Sequence, residues 1–166
     1  MPAASIVLRL ARPTDAPALS LMSRDLIEAG LGWRYRPESM ARLIADRDTL
    51  VLVAAGARGV AGFCVMSFGA ERAHLVLFAV RPSQQRSGIG RQMLDWLLAS
   101  AAVAGTASIH LELRAANRDA HAFYRAMDFH DTVQVPGYYQ AQEAALRMVR
   151  VLRAPGTVVE AWVPPW

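Results

Sequence analysis

Gln85-Arg86-Ser87-Gly88-Ile89-Gly90-Arg91 is the stretch whose residue types point most directly to chemistry. It stands between an apolar run, Leu75 to Val80, and a helical pattern that begins near Gly88. Glycines let a ligand approach the backbone closely. The first N–H groups of a helix have no partner within it and lie at the positive end of its dipole. That layout is an anion site, and a pyrophosphate fits it. A dinucleotide fingerprint would need G-x-G-x-x-G, and a nucleoside-triphosphate loop G-x-x-x-x-G-K-[ST]. Here Gly90 is followed by Arg91-Gln92-Met93, so neither pattern is present. What stands is Q-x-x-G-x-G, with Arg86 and Arg91 as flanking cations.

Two side chains able to carry a proton follow. Glu112 lies on the opposite strand face from Ile109, Leu111 and Leu113, with His110 beside it. Tyr124 comes about two helical turns after Asn117, so the two share a helix face. By residue type alone, Glu112 is either a base or an ordinary charge on a solvated strand. Tyr124 is either a hydrogen-bond donor or an aromatic packed with Phe123 against a sheet.

Leu111-Glu112-Leu113-Arg114-Ala115-Ala116-Asn117, then Ala120, Phe123-Tyr124 and Met127-Asp128-Phe129, resemble the GNAT superfamily of N-acetyltransferases, as does Q-x-x-G-x-G. The resemblance runs from roughly Arg72 to Val151. It is nearest to the bacterial ribosomal-protein alanine N-acetyltransferases, through the L-E-V-R-like strand and the pair Tyr138-Tyr139. Asp128 stands where that family has glycine, in a left-handed turn that aspartate tolerates.

The resemblance implies acetyl-CoA as cosubstrate and direct transfer of its acetyl group to a primary amine. The pyrophosphate would sit on the N–H groups of Arg86, Ser87, Gly88, Ile89, Gly90 and Arg91, beside Gln85. The pantetheine arm would run along Phe78-Ala79-Val80, on a strand splayed from its parallel neighbour. Asn117 would bond the arm and Tyr124 the leaving sulfur. Glu112 would take the amine proton, directly or through water, with its pKa raised by burial if needed. The favoured acceptor is a protein N-terminal amine. A small amine (amino acid, polyamine or drug) is the alternative within the class, and a non-catalytic acyl-CoA sensor the alternative outside it. Trp33, Tyr35, Tyr138 and Tyr139 are candidates for the acceptor side; for Trp33 and Tyr35, plugging the rim of the core is an equal alternative. His74 and His121 are weaker alternatives for the base, each reading more readily as a surface histidine.

Composition bounds the rest. A chain of 166 residues, 54% hydrophobic, makes one domain, here 1–153, followed by an extended tail over 154–166. The single cysteine, Cys64, excludes an internal disulfide and reads as a buried, reduced thiol. The net charge is +4, but the arginines are scattered, so no nucleic-acid tract is expected. No apolar run approaches the ~18 residues of a membrane span, and no cluster has metal-ligand spacing. A cytoplasmic monomer or homodimer is expected.

The elements that must position these residues follow from periodicity. Ser5 to Ala11 alternates as a strand, with Ile6, Leu8 and Leu10 inward. Thr14 caps a helix that ends before Gly30, and Pro37 opens a second. Leu50–Ala55, Gly59–Phe68 and Arg72–Arg81 read as an antiparallel meander. A helix over Gly88–Ala104 and a strand at Ile109–Leu113 suggest a parallel crossover. A helix over Asn117–Met127 and strands over Phe129–Val135 and Glu143–Leu152 complete an α/β fold. It is a mixed sheet of about seven strands, antiparallel in its first half, with helices on both faces.

Overall fold

Alternating apolar residues between glycine-bearing turns build β1 (Val7–Leu10), β2 (Thr49–Gly56), β3 (Gly59–Phe68), β4 (Arg72–Val80), β5 (Ser108–Arg114), β6 (His130–Tyr139) and β7 (Glu143–Val151). In the computed structural model, which describes residues 5–154, these form one seven-stranded sheet ordered β1-β2-β3-β4-β5-β7-β6. Only β4 and β5 pair in parallel. Their connection is the helix α3 (Ile89–Val103), as the crossover pattern predicts. Beyond its first residue, the tail expected over 154–166 lies outside the described residues.

The sheet divides two cores. On one face α1 (Ala16–Leu26) and α2 (Pro37–Ala45) bury Leu19, Met22 and Met40 against Val53, Phe63, Val65 and Leu77. On the other, α3 and α4 (Arg118–Ala126) bury Met93, Leu94, Leu97 and Tyr124 against Cys64, Leu75, Ile109 and Leu111. Each helix turns one apolar stripe to the sheet, and fully burying a side chain of that size stabilises by about 1.5–3 kcal/mol.

Several expectations need correction at the edges. Leu10 was expected inward but is 58% exposed, because it lies at the end of an edge strand. Thr14 caps no helix; a 3₁₀ turn over Pro13–Asp15 precedes α1, and the Asp15 carboxylate accepts the N–H of Arg12. β6 continues through Tyr139, so Tyr138 and Tyr139 belong to a strand rather than to the loop before one. Asp128 does adopt the left-handed conformation, at φ 64°.

β4 carries the feature that shapes the molecule. Val65 pairs with Leu77 and Met66 with Leu75, which leaves Val76 as a bulge. One extra residue reverses the phase of every side chain beyond it. Ala73 and Leu75 therefore face α3, Leu77 and Ala79 face α1 and α2, and Phe78 and Val80 turn back toward α3. The pairing of β4 with β5 ends at the same level, at Leu75 with Leu111. From there the two strands diverge, although β4 stays paired to β3 as far as Val80.

Candidate active site

The divergence leaves an edge of β4 without a strand partner. Arg81 donates its N–H to Ala61 of β3, so by alternation the backbone groups of Ala79 also turn toward β3. Those of Phe78 and Val80 turn toward the opening. The Val80 carbonyl is met there by Gln85 Nε2 at 3.0 Å, which leaves the N–H groups of Phe78 and Val80 and the Phe78 carbonyl on this edge.

The opening leads to the glycine loop. Arg86 (φ 62°) and Gly88 (φ 85°) are both left-handed, which gathers consecutive N–H groups into a concavity suited to an anion. From Arg86 to Arg91 these N–H groups find no acceptor among the described residues; the first helical bond is Gln92 to Gly88. Ser87 Oγ bonds the Gln84 carbonyl at 2.5 Å, and buried Ile89 roots the loop in the core. A Cβ on Gly90 would sit in van der Waals contact with Phe123 at 3.4 Å and Phe78 at 3.6 Å, so the loop packs closely on these rings. The Arg86 and Arg91 side chains are exposed. Together these features could hold a diphosphate, with two cations at the rim.

Tyr124 closes the α3 and α4 side. Its ring lies 6.0 Å from Phe78, 5.3 Å from Phe123 and 5.6 Å from Phe129. Burial pushes the phenol well above its ordinary pKa, so it keeps its proton. Its hydroxyl has no partner among the described residues, yet no side-chain oxygen there is both buried and unsatisfied, so the hydroxyl retains solvent access. Asn117 is the N-cap of α4: its Oδ1 accepts the Ala120 N–H at 3.1 Å, and its Nδ2 has no partner among the described residues.

Glu112 lies across the sheet from Tyr124. The alternation that buries Leu111 and Leu113 under α3 and α4 points it to the face of α1 and α2. His74 Nε2 is 2.5 Å from its Oε2, and Arg147 of the neighbouring β7 is 3.5 Å from its Oε1. Burial was expected to raise this carboxyl, but the hydrogen bond from His74, aided by the charges of His74 and Arg147, lowers it. Glu112 is thus ionised throughout the neutral range. His110 shares the face but is held by Ser108 Oγ at 2.8 Å; burial, then Arg72 and His74, keep it below its ordinary pKa. Cys64 is wholly buried with its thiol pushed far up, so it is no nucleophile.

A family model described as the acetyltransferase (GNAT) family matches residues 20–129. The chain belongs to that family. Over 80 residues it is 34% identical to the [ribosomal protein bS18]-alanine N-acetyltransferase of Escherichia coli K12, an alignment covering 48% of this chain and 54% of that one. The chain thus spans about half the length of the curated relatives it matches. The crystal structure of the ribosomal-protein-S18-alanine N-acetyltransferase from Escherichia coli superposes with TM-score 0.80 at 23% identity, over 96% of this chain and 100% of its own. Arabidopsis thaliana NAA60 in complex with acetyl-CoA gives TM-score 0.79 at 15% identity, over 89% and 99%. These last two likenesses are of fold.

In this GNAT chain the acceptor-side candidates separate. Tyr138 and Tyr139 stack edge to face at 5.0 Å, and Arg147 lies over Tyr138 at 5.8 Å. Burial pushes Tyr139 up to about 12, with Glu112 and Tyr138 adding to the effect. Tyr35, raised chiefly by burial, also interacts electrostatically with Tyr138. Trp33 is not drawn into this group: its indole N–H bonds the Ser20 carbonyl at 3.2 Å, and its ring is flanked by Arg24 at 5.3 Å and Arg36 at 5.1 Å.

Two residues absent from the sequence candidates, Glu28 and Arg114, organise this side together with His74, which the sequence offered only as a weaker alternative for the base. Buried Glu28 accepts the N–H groups of Arg34 (2.7 Å) and Tyr35 (3.1 Å) and the Ser23 hydroxyl (2.9 Å), shaping the loop between α1 and α2. Arg114 donates to the carbonyls of Ile27 (3.0 Å) and Ala29 (2.6 Å), docking that loop on β5. His74 is the third, and it is no mere surface histidine. The signal available for it was alternation: between inward Ala73 and Leu75, it had to share the outer face with Glu112 and His110. The turn between β6 and β7 reaches the same loop through Gln140, which donates to the Leu31 carbonyl.

Proposed function

We propose that this protein transfers the acetyl group of acetyl-CoA directly to a primary amine, with a protein N-terminal α-amine as the favoured acceptor. The observation that carries this reading is the opening between β4 and β5, with Tyr124 on one side of the sheet and Glu112 on the other. A donor held on the α3 and α4 side and an acceptor approaching from the α1 and α2 side meet through that opening.

The diphosphate of acetyl-CoA would rest on the N–H groups from Arg86 to Arg91, and the pantetheine would run past Asn117 Nδ2 to the edge at Phe78 and Val80. Donors fixed before reaction stabilise charge growing on the thioester oxygen. As the amine nitrogen bonds to the carbonyl carbon and the C–S bond breaks, Glu112 receives the amine proton, and the Tyr124 hydroxyl serves the departing sulfur. Protonated Tyr124 and ionised Glu112 are the states these roles need. Tyr35, Tyr138 and Tyr139 border the acceptor, and the curated relative's name supports a protein terminus as its source.

No described helix is long and apolar enough to cross a membrane. The reading places the protein in the cytoplasm, as a monomer or homodimer, without nucleic-acid or membrane partners. CoA release from acetyl-CoA, measured across N-terminal peptides, polyamines, free amino acids and aminoglycosides, tests it. Turnover with peptides is expected. Turnover confined to small amines would reassign the acceptor, and tight acetyl-CoA binding without turnover on any class would make the protein a sensor.

A further inference from the structure

Glu112 is held from both sides. His74 reaches it from β4 and Arg147 from β7, one on each carboxylate oxygen, so the neighbouring strands determine its aim. The two partners differ in kind. Arginine is a permanent cation, whereas an imidazole can accept a proton on one nitrogen while releasing one from the other. The His74 side chain is 47% exposed and that of Glu112 only 17%, so the ring bridges the half-buried carboxylate to the outside. It opens into a cleft of about 470 Å³ that Ser67, Arg72, His110 and Thr132 also line.

The other groups facing the carboxylate do not offer such a path. Besides His74 these are His110 from its own strand, Arg147 from β7 and Tyr139 from β6. Arg147 cannot give up a proton, Tyr139 titrates too high, and His110 is bonded to Ser108 and faces the positive charge of Arg72. An ionised carboxylate this well partnered is precisely aimed but weakly basic toward an α-ammonium group of pKa ~8. Turnover requires the proton to move on.

We propose that His74 is the positioning residue for Glu112, fixing its carboxylate toward the opening between β4 and β5 and relaying the acceptor's proton from it to the cleft. The inference rests on Glu112 acting as the base. In the step, the acceptor's N–H bond breaks and its proton passes to Glu112. Once Glu112 carries that proton, the ring accepts it as the Nδ1–H tautomer: the bare Nε2 takes the proton from Oε2 while Nδ1 releases one to water, which leaves Nε2–H donating to the carboxylate. Exchange with solvent, one proton gained at Nδ1 and one lost from Nε2, restores the starting tautomer. One proton enters from the ammonium and one leaves, so no charge accumulates.

The test pairs a carboxyl-carbon NMR titration of Glu112 in the full chain, which needs no acceptor, with the pH dependence of kcat for CoA release. The acceptor probe is a peptide beginning with a free alanine amine. His74→Ala should move the Glu112 titration up toward that of an ordinary glutamate and raise the acid limb of kcat with it. It should also lower kcat by roughly 10-fold or more, within the range of proton-transfer assistance, while acetyl-CoA affinity stays unchanged. His74→Gln still donates to Oε2 but cannot titrate, so it should keep the Glu112 titration low without restoring kcat. An unmoved Glu112 titration in His74→Ala, or a parental kcat in His74→Gln, would overturn the proposal. Failure of the base assignment looks different: Glu112→Gln would then keep parental kcat, whatever the His74 variants show.

Discussion

Tyr124 sits among Phe78, Phe123 and Phe129 with a hydroxyl that no described side chain uses, so its ring and its O–H can be separated experimentally. Tyr124→Phe keeps the ring contacts and should lower kcat by roughly 10- to 1,000-fold without changing acetyl-CoA affinity. Steady-state kinetics beside calorimetry checks this; a parental kcat would leave the tyrosine only a packing role. Glu112 makes a prediction about pH. Its pKa is lowered, so it is already ionised above about 4.3, the ordinary glutamate value. An acid limb in kcat/KM between about pH 6 and 8 should therefore belong to the acceptor, whose α-ammonium group titrates near 7.7–8.0. Two peptides whose terminal amines differ in pKa should give limbs displaced by that difference, and coincident limbs would contradict the assignment.

At the scale of elements, the bulge at Val76 and the end of the β4–β5 ladder at Leu75 and Leu111 produce the opening together. A bulge next to lost pairing re-aims both side chains and backbone donors, which is how β4 comes to serve a ligand as well as a core. The glycine loop depends on left-handed backbone at Gly88, where φ is 85°. A Cβ added there meets no atom within 4 Å, so the harm of Gly88→Val is chiefly conformational, about 1–2 kcal/mol for a left-handed residue, together with misdirected N–H groups. Acetyl-CoA affinity should fall by at least tenfold in calorimetry while circular dichroism stays native. Arg114 tests the other side of the sheet. It holds the carbonyls of Ile27 and Ala29, so Arg114→Ala should loosen the α1–α2 loop and raise the acceptor KM several-fold, leaving the Kd for acetyl-CoA unchanged. Equal loss of both would mean that the residue supports the whole fold rather than this loop.

For the molecule as a whole, acid should be the weak side. Arg9 and Asp15 form a two-pronged pair at 2.7 and 3.0 Å, tying edge strand β1 to the start of α1. The Arg9 hydrogen bond, reinforced by the Arg12 N–H, lowers the Asp15 pKa. A carboxyl whose folded pKa lies below its unfolded value stabilises fully above the unfolded value, near 3.9 for aspartate, and loses that contribution as pH falls through the folded one. Asp15 and Glu112 both have this sign. The Tm should stay level from neutrality to about pH 5 and drop below about pH 4, with a shallower drop in Asp15→Asn. Parallel curves for the variant and its parent would show that the pair adds nothing to acid stability.

The amino-acid sequence by itself determined what short-range chemistry controls. Alternation marked β3 as Gly59–Phe68 exactly to its ends and β4 to within one residue, and Pro37 opened α2. The Q-x-x-G-x-G loop could be read because glycine conformation and helix-end donors are local properties, and Asp128 kept its turn for the same reason. Tertiary structure decided what depends on register between distant segments. No local pattern says that β4 slips phase at Val76, that β5 leaves it after Leu111, or that the Trp33 indole N–H bonds a carbonyl of α1. His74 meets Glu112 across 38 residues of chain and Arg114 meets Ala29 across 85. A side chain's residue type states which bonds it can make. Which partner it finds is decided by which strands lie side by side and in what register, and the burial of the two cores sets that for the chain as a whole.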